Sequence, residues 1–117
     1  MDSISNSYLT VDLYRIKQNA AAIHQDFPQQ QLIPVLKADT YGLGMKAVAN
    51  ALSALPSVSC FAVAQAKEGI LLKQEGIRKD ILVLNEVLPR QIDAAVQYDL
   101  TLTVGNIPHL LDLKSVV

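Results

Sequence analysis

The residue of this sequence best suited to chemistry is Lys37, because of what precedes and follows it. Leu32-Ile33-Pro34-Val35-Leu36 is a short apolar run with Val and Ile in it. It reads as a strand buried on both faces. Lys37 closes the run, and a polar turn with two glycines, Ala38-Asp39-Thr40-Tyr41-Gly42-Leu43-Gly44, follows. In barrels and open α/β sheets, that carboxyl edge of the strands is where reactive groups are placed. An ammonium is costly to bury without a partner. Apolar walls lower a lysine's pKa and leave a free amine, which attacks a carbonyl carbon and forms a Schiff base. The bland alternative is a lysine that snorkels to water at the strand end. Val35, Leu36 and Ala38 are apolar neighbours expected to favour the free amine. Lys17, Lys46, Lys67, Lys73, Lys79 and Lys114 fall on predicted helices or turns, where solvation keeps the ammonium form.

The other reactive residue types are less suggestive. Glu68, Asp80, Glu86 and Asp93 are scattered, without metal-like or paired-carboxylate spacing. His24 falls beside the apolar stripe of a helix and reads as a solvated histidine. Tyr8, Tyr14 and Tyr98 read as packing or surface residues. Tyr41, four positions after the lysine, is either a loop aromatic covering the strand end or a hydroxyl directed at a ligand. Gly42 and Gly44 suit a tight turn; a lone Gly-x-Gly is equally consistent with phosphate binding.

The elements that must position Lys37 follow from periodicity. Asp12 is an N-cap, and Leu13, Ile16, Ala20, Ile23 and Phe27 recur at helical spacing until Pro28. After the lysine strand, 31–37, a second helix carries Met45, Val48, Ala49, Leu52 and Leu55. Cys60-Phe61-Ala62-Val63-Ala64 is a second buried strand. A helix from Ala66 to Gln74 follows, with Gly76 as its C-terminal cap. Ile81-Leu82-Val83-Leu84 is a third strand. Pro89 opens a helix running to about Tyr98. Leu100 to Val104 is a fourth strand, and Ile107 to Val117 begins another helix. No hairpin signal joins any strand pair. Four successive strand–helix units imply parallel neighbours with right-handed crossovers. They form either a small open sheet or the first half of an eight-stranded barrel, which needs about 250 residues.

Composition narrows the function class. The chain has 117 residues, half of them hydrophobic, with a formal net charge of -1. No basic or acidic block points to nucleic acid or to a membrane surface. A single cysteine, Cys60, allows no internal disulfide. The polar start, Met1 to Tyr8, has neither the basic nor the apolar region of a leader peptide, and no apolar run approaches a membrane span. The expectation is one domain of a soluble cytoplasmic protein.

Val35-Leu36-Lys37-Ala38-Asp39-Thr40-Tyr41-Gly42-Leu43-Gly44 closely resembles the pyridoxal-phosphate attachment motif of the alanine racemase family, roughly V-V-K-A-[ND]-A-Y-G-H-G. Leu36, Thr40 and Leu43 depart from that pattern; the lysine, the tyrosine and both glycines are kept. The opening Val11-Asp12-Leu13 with Ile16 and Asn19 is similar to the family's start. Val63-Ala64, Lys67-Glu68, Glu75-Gly76-Ile77 and Ile81 to Leu84 look like its second and third units. Basic amino-acid decarboxylases also carry a lysine on a first strand, but without the Tyr-Gly-x-Gly that follows here.

The resemblance implies an α/β fold made of the first four βα units of a (β/α)8 TIM barrel. It implies pyridoxal 5'-phosphate as cofactor, held by Lys37 as a Schiff base, with the Tyr41 hydroxyl at its phosphate and Leu84 near its ring. The implied reaction interconverts L- and D-alanine, supplying D-alanine for the cell wall. Lys37 is the base on one face of the substrate. In the family the opposite face is served by a tyrosine from the partner subunit's C-terminal domain. The chain stops at Val117, and the resemblance covers essentially all of it. It is expected to be a fragment, a truncated product, or a half-barrel completed by association of like chains. A pyridoxal-phosphate-binding module without turnover, and another enzyme of the same fold, remain alternatives.

Overall fold

The computed structural model describes residues 6–116. The first five residues, which belong to the polar start of the chain, and Val117, the expected last residue of the final helix, lie outside them. Helix α1 spans Leu13–Asp26, and the Asp12 carboxylate accepts the Arg15 N–H at 3.1 Å, as an N-cap should. A single turn, α2, spans Lys37–Tyr41, and α3 spans Met45–Ser53. Strand β1 (Cys60–Val63), helix α4 (Ala66–Gln74) and strand β2 (Asp80–Val83) follow. A 3-10 turn at Pro89–Gln91 leads into α5 (Ile92–Gln97), then β3 (Thr101–Leu102) and α6 (Ile107–Lys114).

The sheet is parallel throughout, in the order β1-β2-β3. Phe61 pairs with Ile81 and Val63 with Val83, so these four buried side chains share the face packed by helices. Chain order equals spatial order, with no reversal of the kind that builds a doubly wound sheet. The described residues measure 48 × 43 × 22 Å, and that thinnest dimension fits one sheet plus one helix layer. Helices therefore cover one face only, as on the outside of a barrel. Periodicity left open sheet and barrel equal; strand order and thickness favour the barrel.

The first strand departs from expectation. Residues 31–37 do not form a continuous strand. They touch β1 and the residues before it through two parallel bridges, Leu32 to Val58 and Val35 to Ala62. The second bridge is out of step with the first by one residue, and Pro34 lies between them. Proline has no N–H for the ladder, so pairing breaks there. The Pro34 carbonyl still accepts from Ala62 N–H at 2.9 Å, and Leu36 N–H donates back to the Ala62 carbonyl at 2.8 Å. The strand is thus aligned at its carboxyl end, where Lys37 follows.

The burial expected around Lys37 is also only half present. Leu36 is 1 % exposed beneath the helices, but Val35 on its other side is on the open face and Lys37 itself is exposed. The apolar enclosure expected of a free amine is not supplied by the described residues. Likewise α1 buries Ala20 and half-buries Leu13 and Ile16, while Ile23 and Phe27 stay exposed. The stripe is real, but the described structure covers only its first turns. No helix among the described residues is long and apolar enough to cross a membrane.

Candidate active site

The site is built on α2. Ala38, Asp39, Thr40 and Tyr41 all have φ between 54° and 57°, so this turn is left-handed. An L-residue in that region costs about 1–2 kcal/mol, and four in succession persist only when their surroundings over-determine them. The stabilising bonds are identifiable. Thr40 N–H donates to the Leu36 carbonyl at 2.9 Å, Gly42 N–H to Ala38 at 3.1 Å, and Gly44 N–H to Asp39 at 2.9 Å. The Asp39 carboxylate accepts the Met45 N–H at 2.8 Å, capping α3, whose own N-cap Gly44 has no side chain to do so. Gly42 (φ 87°) and Gly44 (φ 98°) carry the chain out of the turn in conformations that only glycine adopts freely. The two glycines of the motif are thus explained by backbone geometry.

Thr40 is the strained member. It is β-branched in the left-handed region, 7 % exposed, and its hydroxyl has no hydrogen-bond partner among the described residues. An unsatisfied buried hydroxyl costs about 1–3 kcal/mol. Thr40→Ala is therefore expected to raise stability by about 1 kcal/mol after the lost methyl burial is counted. A urea midpoint that falls instead would show the hydroxyl to have a partner.

Lys37 and Leu84 lie at the same end of the sheet. Val35 bridges Ala62, and Ala62 pairs with Leu82. Lys37 and Leu84 each directly follow the last paired residues of neighbouring segments, so both lie at the carboxyl edge of the sheet. Leu84 is 41 % exposed and anchored by its N–H to the Val63 carbonyl at 2.8 Å. Tyr41 is 64 % exposed on the left-handed turn. A cavity of about 440 Å³ adjoins the turn, lined by Lys37, Ala38, Ala64, Gln65, Lys67 and Glu68 among others; Tyr41 and Leu84 do not line it. An exposed primary amine ahead of a braced turn, an exposed phenol on that turn and an exposed leucine at the same end of the sheet suit a ligand that offers a carbonyl, an anionic group and an apolar ring. The residues present therefore fit pyridoxal phosphate.

Two residues gain roles that spacing did not reveal. Glu68, one of the scattered acids, accepts the N–H groups of Ala38, Ala64 and Gln65. Its position three residues after the N-cap Gln65 was the available signal, since that is capping-box spacing. His109 is buried, with Nε2 3.1 Å from the Val87 carbonyl and Nδ1 3.2 Å from Glu86, and ties the loop after β2 to the first turn of α6. Cys60 is no rival nucleophile: burial, and next the Asp80 carboxylate paired with it across the sheet, push its thiol pKa up and keep it protonated. Tyr8 and Tyr14 are exposed, and the Tyr98 hydroxyl accepts from Gln74 at 3.1 Å.

Comparison with known proteins places the sequence and the architecture in one family. The family model described as the N-terminal domain of alanine racemase matches residues 11–117. The alanine racemase of Aquifex pyrophilus is 39 % identical over 100 residues, which cover 86 % of this chain and 29 % of that protein. The crystal structure of the alanine racemase from E. faecalis superposes with a TM-score of 0.83 at 30 % identity, over 89 % of this chain and 28 % of that one. That of the Bacillus anthracis alanine racemase with bound L-Ala-P gives 0.81 at 32 % identity, over 91 % of this chain and 28 % of that one. The chain spans less than a third of the length of these relatives. It belongs to the alanine racemase family and corresponds to the N-terminal part of that family's barrel domain.

Proposed function

We propose that this chain is the lysine-bearing part of a pyridoxal-phosphate-dependent racemase that interconverts L- and D-alanine, an activity that would supply D-alanine for the cell wall. The observation that carries the reading is Lys37 at the carboxyl edge of the sheet, directly before a left-handed turn held by hydrogen bonds on both sides. Lys37 holds the cofactor covalently through Nζ. The Tyr41 hydroxyl donates to its phosphate, and Leu84 packs near its ring. When bound, the cofactor withdraws electrons from the substrate's Cα–H bond. Lys37 Nζ is then the group of this chain that takes and returns the proton on one face. That the similar B. anthracis racemase was solved with bound L-Ala-P supports an alanine-like ligand. The open face, with Val35 and Leu84 exposed, makes self-association part of the proposal.

Racemisation needs a second acid or base on the opposite face, which the family takes from elsewhere. The chain alone is therefore expected to release the α-proton without efficient conversion to D-alanine. Proton exchange at alanine Cα in D2O with pyridoxal phosphate, followed by NMR, tests this. Exchange at least about tenfold faster than with free cofactor, and lost in Lys37→Ala, is expected. Equal rates with and without the chain would overturn the reading.

A further inference from the structure

We propose that Glu68 is the positioning residue that sets the direction of Lys37. The proposal rests on Lys37 being the cofactor lysine, and its basis is the bonding of one carboxylate to two loops. Glu68 Oε1 accepts Ala64 N–H at 3.0 Å and Gln65 N–H at 2.9 Å. Glu68 Oε2 accepts Ala38 N–H at 3.0 Å, from a residue 30 positions earlier in the chain. The first two bonds are local and cap α4. The third fixes the peptide that leaves Lys37.

That peptide opens the left-handed turn, where strain has to be opposed by outside contacts. The other bonds of the turn run within the segment between Leu36 and Met45. Among the described residues, Glu68 ties the turn to the neighbouring loop. It does so as an ion, and charge-assisted bonds are roughly twice as strong as neutral ones. No ion pair within 4 Å engages Glu68 among the described residues, although Lys37 and Lys67 line the same cavity. Its oxygens serve backbone N–H groups and leave the Lys37 amine free for a ligand.

The two ends of the carboxylate can be separated. In Glu68→Gln the carbonyl oxygen keeps the α4 cap, since glutamine serves at that position. The amide nitrogen then faces Ala38 N–H, donor against donor. Backbone amide exchange of this chain by NMR, with borohydride trapping of pyridoxal phosphate and peptide mapping, reads both ends. Glu68→Gln is expected to speed exchange at Ala38 by about tenfold, with Gln65 within about threefold of the parent. The share of label on Lys37 is expected to fall at least about fivefold. Unchanged exchange at Ala38, or unchanged labelling of Lys37, overturns the proposal. So does equal loss of protection at Ala38 and Gln65, which would make Glu68 a helix cap and nothing more. Parent protein labelled evenly on all lysines would instead refute the cofactor reading, leaving Ala38 exchange to judge the contact between Glu68 and the turn.

Discussion

Lys37→Ala is expected to abolish specific attachment of pyridoxal phosphate to this chain. Two observations set the size of the effect. Lys37 follows a strand held to Ala62 by reciprocal backbone bonds at 2.8 and 2.9 Å, so its backbone position is defined. The turn after it is held by Glu68 and Asp39. A positioned amine reacts far faster than a free one, because the entropy of bringing the partners together is already lost. The remaining lysines lack such a frame. Lys46 is engaged with Glu75 at 3.0 Å. Lys73 and Lys79 donate to backbone carbonyls, Lys73 to Lys79 and Lys79 to Leu55 and Val58. Lys67, on the cavity wall, is the instructive comparison, since it shares the space without the turn. After incubation, borohydride delivers hydride to the C=N bond and leaves a stable secondary amine that peptide mass mapping locates. Label concentrated on Lys37 in the parent, and absent from that peptide in Lys37→Ala, is the expected pattern. Label spread evenly over the lysines of the parent would mean that the turn confers no selectivity.

Phe61→Ala is the substitution expected to cost the most stability, about 3–5 kcal/mol. Phe61 is 0 % exposed on β1 and faces the helices beside its register partner Ile81. Removing its ring leaves a cavity in the core cluster to which Leu36, Leu72 and Val83 also belong. Single domains are commonly stable by only about 5–15 kcal/mol, so a large part of the total would be lost. The site should feel it too, because Ala62, the next residue, is the anchor of the lysine strand. Urea unfolding followed by circular dichroism measures the loss, and a change below about 1 kcal/mol would show that the core relaxes into the space.

Much of the fold was legible because its signals are local. The stripe Leu13, Ile16, Ala20, the caps Asp12 and Gly76, and the strands at Phe61 and Ile81 follow from side-chain periodicity and turn chemistry within a few residues. The parallel order was legible for the same reason, since helices separate every strand pair. The first strand was over-read. Its apolar run is genuine, but Pro34 denies the ladder an N–H, and a single residue inside a run matters less to periodicity than to pairing. The exposure of Ile23 and Phe27 was unreadable, because a stripe states which side wants burial and not whether anything covers it.

The site divides along the same line. By itself the sequence determined the identity of Lys37, its place at the end of an apolar run, the tyrosine and glycines after it, and through them the family. Those are properties of residue type and spacing, and they are carried by ten consecutive residues. Only the tertiary structure decided that the turn is left-handed, that Lys37 and Leu84 are exposed at the carboxyl edge of the sheet, and that Glu68 reaches back to Ala38. Left-handed backbone at Ala38, Asp39, Thr40 and Tyr41 contradicts the local preference of each of these residues. It is tolerated because the segment's own backbone bonds, the Asp39 carboxylate at Met45 N–H and the Glu68 carboxylate at Ala38 N–H oppose that preference, and the last of these exists only once α4 is folded beside the turn.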